Sequence, residues 1–153
     1  MIYTVILNSN NRVAGSTVSN ATYYFDWTVF SESKYKMTSV FTSTAVNATN
    51  VLTLAMLEVQ LGQSKVFKAN ATQTRATTTN TIGFVIPNST VASTFYYGDA
   101  TTLPPVYLYH RPNQNDFYVR LTTNAIIPID WVDYVGAQMT EYNLILTFES
   151  IDN

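Results

Sequence analysis

Runs rich in Tyr, Thr, Val, Ile and Phe alternate along this chain with gaps rich in Asn, Thr, Ser, Gly and Pro. Within the runs, apolar and polar residues change places at every step, the period of a strand with one buried and one wetter face. Residues 2–8 read as a first strand, closed by the turn-rich Asn8-Ser9-Asn10-Asn11-Arg12. In residues 22–30, Tyr23, Phe25, Trp27 and Val29 fall on one face and Tyr24, Asp26, Thr28 and Phe30 on the other, which predicts a second strand. Residues 35–45 predict a third, with Tyr35, Met37, Ser39 and Phe41 opposite Lys36, Thr38, Val40 and Thr42. The last run, 142–151, puts Tyr142, Leu144, Leu146 and Phe148 on one face and Asn143, Ile145, Thr147 and Glu149 on the other.

The middle of the chain is less regular. Residues 51–61 read as a strand because Val51, Thr53 and Val59 are β-branched, with a helix as the competing reading because Leu, Ala, Met, Glu and Gln are good helix formers. A short strand follows at 66–69. The polar, Thr-rich stretch 70–81 has no apolar period and is expected to be a mobile loop. Residues 82–86 and 94–97 read as short strands, and 101–105 as a stiff Pro-Pro linker. Residues 106–110 and 117–122 look like the arms of a hairpin, and 124–140 is a long connection carrying Trp131 and Tyr134. So many strands with several long connections predict an all-β fold, a two-sheet antiparallel sandwich of the single jelly-roll kind, as one domain over residues 1–153. Phe25, Trp27, Met37, Phe41, Leu54, Phe84, Leu144, Leu146 and Phe148 are the expected core.

Composition then narrows the chemistry. Of 153 residues only 12% are charged, the formal charge is −2, and there is one His and no Cys. A zinc site needs three or four His, Cys or acidic ligands, and this chain offers few. A Ser-His-Asp triad must use His110, yet no Gly-x-Ser-x-Gly elbow occurs. His110, between Tyr109 and Arg111-Pro112, reads as an edge residue. Eight basic residues spread along the chain make no field for nucleic acid. We therefore expect no catalysis, no cofactor, no metal and no nucleic-acid partner. No stretch approaches the length of a membrane span, and the start, Met1 to Leu7, lacks a basic segment before a long apolar one, so it reads as a strand and not as a signal peptide. The absence of Cys favours a reducing compartment. Four Asn-x-Ser/Thr sequons, at Asn20, Asn47, Asn70 and Asn88, are near the number that chance gives in so Asn- and Thr-rich a chain.

The unusual abundance is aromatic: 11 Tyr and 8 Phe. Tyr offers apolar area with a hydroxyl, a combination common at interfaces. Trp131, Tyr134, Tyr96 and Tyr97 are the candidate interface or sugar-platform residues. Asp130 and Asp133 flank Trp131, the arrangement in which an aromatic ring beside acids holds a sugar, although a solvated loop is the ordinary reading. A carbohydrate-binding or host-attachment module, fibre-head or lectin-like, is accordingly the alternative function.

Several phrases carry a resemblance. They are Ser19-Asn20-Ala21-Thr22-Tyr23-Tyr24-Phe25-Asp26-Trp27, Leu61-Gly62-Gln63-Ser64-Lys65-Val66-Phe67, Ile82-Gly83-Phe84-Val85 with Pro104-Pro105-Val106-Tyr107-Leu108 and His110-Arg111-Pro112, and Asn143-Leu144-Ile145-Leu146-Thr147-Phe148-Glu149. In order along the chain, they resemble single jelly-roll minor capsid or penton-type proteins of large double-stranded DNA viruses of algae and protists. The resemblance implies a structural virion protein of an icosahedral shell, assembled in host cytoplasm. Its partners would be other capsid proteins, in a homo-oligomer or a mixed assembly, and it carries over no active residues.

Overall fold

The computed structural model describes residues 1–44, 55–61, 64–69, 74–85, 95–99, 106–123, 132–133 and 141–151. Eleven strands account for most of them: β1 (Ile2–Asn8), β2 (Asn20–Tyr24), β3 (Tyr35–Thr44), β4 (Ala55–Val59), β5 (Ser64–Ala69), β6 (Thr74–Val85), β7 (Phe95–Asp99), β8 (Val106–Leu108), β9 (Asp116–Thr123), β10 (Val132–Asp133) and β11 (Glu141–Ser150). The described helical content is two 3-10 turns, Ser9–Asn11 and Trp27–Val29.

All pairing is antiparallel and forms two sheets. One runs β1-β11-β3-β7, with β8 also paired to β3. The other runs β10-β9-β4-β6-β5, with β2 also paired to β9. The chain thus changes sheet repeatedly: β1 and β3 lie in the first, β2 and β4 in the second. The first and last strands are neighbours, paired without a break from Ile2↔Glu149 to Asn8↔Asn143.

The alternation read from the sequence becomes the packing between the sheets. Val5 and Leu7 on β1, Tyr142, Leu144, Leu146 and Phe148 on β11, and Tyr35, Met37 and Phe41 on β3 are buried from one side. Ala21 and Tyr23 on β2, Leu57 and Val59 on β4, and Phe117, Val119 and Leu121 on β9 meet them from the other, in one cluster. Of the expected core residues, Trp27, Met37, Phe41, Leu144, Leu146 and Phe148 are buried, and Phe25 is half-buried against them. Leu54 and the side chain of Phe84 lie outside the described residues. At one end of the sandwich the rings interlock. Trp27 sits 5.5 Å from Phe117 and 5.7 Å from Phe148, and Tyr3 stacks on Phe30 at 4.4 Å. Edge-to-face and offset contacts of this kind add to plain burial.

Four sequence expectations need correction. The second strand stops at Tyr24 because Asp26 folds the chain back on itself. Its Oδ1 accepts hydrogen bonds from the Thr28 backbone N–H at 3.0 Å and the Thr28 hydroxyl at 2.6 Å, which starts the turn Trp27–Val29. The alternation therefore breaks: Val29 is 60% exposed, and Phe30, assigned to the wet face, is only 2% exposed. The expected loop 70–81 is instead largely β6, paired with β5 on one side and β4 on the other. Thr is β-branched and suits a strand even where no apolar period announces one. The strand expected at 82–86 is the end of this longer element. Finally, β8 and β9 are not a hairpin: β8 pairs with β3 and β9 with β2, β4 and β10, so the chain crosses between sheets there. The run at 51–61 is a strand where it is described, Ala55–Val59.

Candidate interaction surface

The four aromatic site candidates are not brought together by the described residues. Trp131 and Tyr134 lie outside them, as does Asp130. Tyr96 and Tyr97 lie on β7, in register with Ser43 and Thr42 of β3, and their side chains are not among those described. Asp133 is on β10 opposite Thr122. His110 stands exposed in the turn after β8. Among the described residues, no three His, Cys, Asp or Glu side chains gather as metal ligands, and no helix is long and apolar enough to cross a membrane.

Several described polar groups brace the sandwich. Tyr23 and Tyr142 share a buried hydrogen bond of 2.8 Å between their hydroxyls, and Ser9 Oγ accepts from the Tyr142 backbone N–H at 2.9 Å. Burial pushes both phenols above the ordinary tyrosine value, since a phenolate there would lose its water. Tyr35 is pushed up to about 12 by burial and by donating to Glu32. Its hydroxyl meets the Glu32 carboxylate at 3.0 Å and the Glu32 carbonyl at 2.8 Å. Arg111 donates to the Phe30 carbonyl at 2.6 Å, tying the segment after β8 to the aromatic end. Glu58, buried on β4, lies 3.8 Å from Arg120, its register partner on β9.

What faces outward is of another character. On the first sheet, the side chains opposite the core form rows across β1, β11 and β3. Ile6, Ile145 and Val40 make one row, and Thr4, Thr147 and Thr38 the next. The following row holds Ile2, Glu149 and Lys36, extended by Tyr107 of β8. Ile2, Ile6 and Tyr107 are exposed. An aliphatic row beside a threonine row, with Glu149 and Lys36 on one flank, Glu141 at the far end of β11 and Asp99 of β7 in register with Val40, is a surface with few of the Lys and Glu that normally keep a face in water.

No protein-family model matches this chain, and no curated protein matches it in sequence.

The two strands at the open side of the sandwich differ in how their edges are finished. The free edge of β2 is covered by the preceding loop, whose Val13 N–H donates to the Thr22 carbonyl at 2.8 Å and Thr17 N–H to the Asn20 carbonyl at 3.2 Å. Arg12 pins that loop by donating to the carbonyls of Ser16 and Ser9 at 2.9 and 2.7 Å. β1 has β11 as its one strand partner among the described residues. Beside it runs an open groove of about 540 Å³, lined along β1 from Thr4 to Asn8 and across from it by Val13, Ala14 and Tyr24. Sequence reading put the candidate surface on Trp131 and its neighbours and did not single out this edge. The signal for it was present: Ile2, Val5, Ile6 and Leu7 are apolar on both faces of one strand, more than a single buried face requires.

Proposed function

We propose that this chain is a structural virion protein, a single jelly-roll component of an icosahedral shell that works by packing against neighbouring capsid proteins. The observation that carries the reading is the strand order. Following neighbours gives β1-β11-β3-β7 in one sheet and β2-β9-β4-β6 in the other. This is the interleaving expected of an eight-stranded jelly roll, with β5, β8 and β10 as additions at its edges, and jelly rolls recur in viral capsid and lectin domains. Fold alone does not assign function. The shell reading is supported in addition by the aliphatic and threonine rows on the outward face of the first sheet and by the sequence phrases that resemble minor capsid and penton-type proteins. In this reading the chain is not an enzyme, it assembles in host cytoplasm, and its surface chemistry serves contacts with other shell proteins.

Localisation in an intact particle tests this. A reconstruction, or surface cross-linking of purified particles followed by peptide identification, is expected to find the chain in the shell beside other capsid proteins. A particle that lacks it, together with binding of the purified protein to a glycan array, would replace the structural role with the attachment role.

A further inference from the structure

We propose that the free edge of β1 docks a second copy of this chain, the two β1 strands pairing antiparallel about a twofold axis with Thr4 opposite Thr4 and Ile2 opposite Ile6. The choice of a second copy as partner rests on the assembly reading above; the openness of the edge does not. Four observations lead here.

First, the edge has bonds to give. The Ser150 backbone N–H donates to the Met1 carbonyl at 2.9 Å, so Met1 turns its carbonyl toward β11. Antiparallel pairing alternates, so Tyr3, Val5 and Leu7 do likewise, and Ile2, Thr4 and Ile6 aim N–H and C=O at the open side. Second, the edge is unguarded. Proteins blunt exposed edges with charges, proline, bulges or a covering loop. From Ile2 to Asn8 there is no charged residue and no proline, and the register with β11 is unbroken. β2 has its covering loop; β1 has none among the described residues.

Third, the sequence of β1 is self-complementary. The outward-aimed groups are on even-numbered residues, so twofold pairing must set even residues against even ones. Centring on Thr4 matches Ile2 with Ile6 twice, whereas centring on Val5 matches Ile2 with Asn8. Such an interface is isologous and closes on itself. Fourth, each copy supplies what the other's groove lacks. In this register Met1 falls opposite Leu7 and Ile2 opposite Ile6. Met1 and Ile2 are 69% and 64% exposed, and they come to lie along the stretch Thr4–Asn8 that lines the groove. A single seven-residue strand pair is small against the roughly 1,000 Å² that marks a specific interface, so the dimer is expected to dissociate reversibly.

Sedimentation equilibrium of the purified chain over a concentration series tests the proposal. A monomer–dimer equilibrium is expected. Ile6→Lys, a change at an exposed site, should weaken it at least tenfold with the melting temperature unchanged. Thr4→Pro, which removes one outward N–H but none that faces β11, should do the same. The chain has no cysteine, so single replacements report the register cleanly. Under mild oxidation Thr4→Cys should cross-link to a dimer well ahead of Ile2→Cys. A monomer throughout the series, an Ile6→Lys variant that dimerises as tightly as the parent, or equal cross-linking from the Thr4→Cys and Ile2→Cys chains would overturn it. A β1-paired dimer found in no virus particle would overturn the shell reading and leave the edge pairing standing, and a monomer built into particles would do the reverse.

Discussion

The hydroxyls of Tyr23 and Tyr142 meet at 2.8 Å in the buried interior, one from each sheet. Their bond joins the two sheets across an interior lined largely by apolar side chains. Removing one hydroxyl strands the other away from water, which costs about 1–3 kcal/mol, whereas removing both takes away donor and acceptor together. Tyr142→Phe should therefore lower the stability by that amount in urea denaturation, and Tyr23→Phe with Tyr142→Phe should cost less than the sum of the single changes. Additive losses would mean that the two hydroxyls are not coupled.

Trp27 is fully buried among Phe25, Phe30, Phe117 and Phe148, and its indole Nε1 has no hydrogen-bond partner among the described residues. Volume and polarity pull in opposite directions at this site. Trp27→Ala opens a cavity and should cost about 3–5 kcal/mol. Trp27→Phe keeps a ring and removes the unpaired N–H, so its loss in the same denaturation experiment should be clearly smaller. Equal losses would show that the indole nitrogen is satisfied in solution.

Stability should fall off on both sides of neutrality. Asp26 is held below the ordinary carboxylate value by the Thr28 hydroxyl and N–H, and Glu32 by the Ser31 hydroxyl and then by the Tyr35 and Tyr3 hydroxyls. A lowered carboxyl stabilises the fold above its unfolded value, 3.8 or 4.5 here, and loses that contribution as pH falls through the folded value. Tyr23, Tyr35 and Tyr142 are raised, so their contribution is complete below 10.0 and is lost as pH rises through the folded values, about 12 for Tyr35. Melting temperature against pH should form a plateau with an acid limb and an alkaline limb. Asp26→Ala should flatten the first and leave the second, whereas Glu32→Gln should flatten the first and weaken the second as well, because the Glu32 carboxylate helps to hold Tyr35 up.

Gly15 has φ of +90°, and a Cβ built there meets nothing within 4 Å. Space is thus no obstacle, and the cost of a side chain is backbone strain alone, about 1–2 kcal/mol for alanine. Gly15→Asn should be milder than Gly15→Ala in thermal unfolding, because asparagine tolerates this region better. Because Gly15 belongs to the loop over the β2 edge, amide exchange at Val13 and Thr17 should quicken in the alanine variant.

Much of this architecture was legible where one face is buried and the other wet. β1, β3 and β11 begin and end within a residue of their expected limits, and the inward set Tyr142, Leu144, Leu146 and Phe148 follows from alternation alone. What escaped was of two kinds. Asp26 captures a backbone N–H two residues on, and no period of two can announce that. β6 is Thr-rich and polar, so hydrophobic patterning is blind to it although threonine favours extended backbone. The β8–β9 crossing was hidden for a third reason, since proximity in sequence says nothing of which sheet a strand joins. The open β1 edge went unremarked because a one-dimensional pattern shows which faces are apolar and not which edges are covered.

The pairing of β1 with β11 also sets a clock on how this protein is made. β1 is synthesised well before its partner, which lies at the far end of this domain. Contacts between such distant segments form late and slow the folding of β-rich domains. Until β11 is made, then, an uncharged apolar strand waits with both of its edges unsatisfied, the condition under which nascent chains associate wrongly. The strand that makes this domain stick in its finished form is the same one whose protection, by chaperones or by the speed of translation, governs how much of it reaches that form at all.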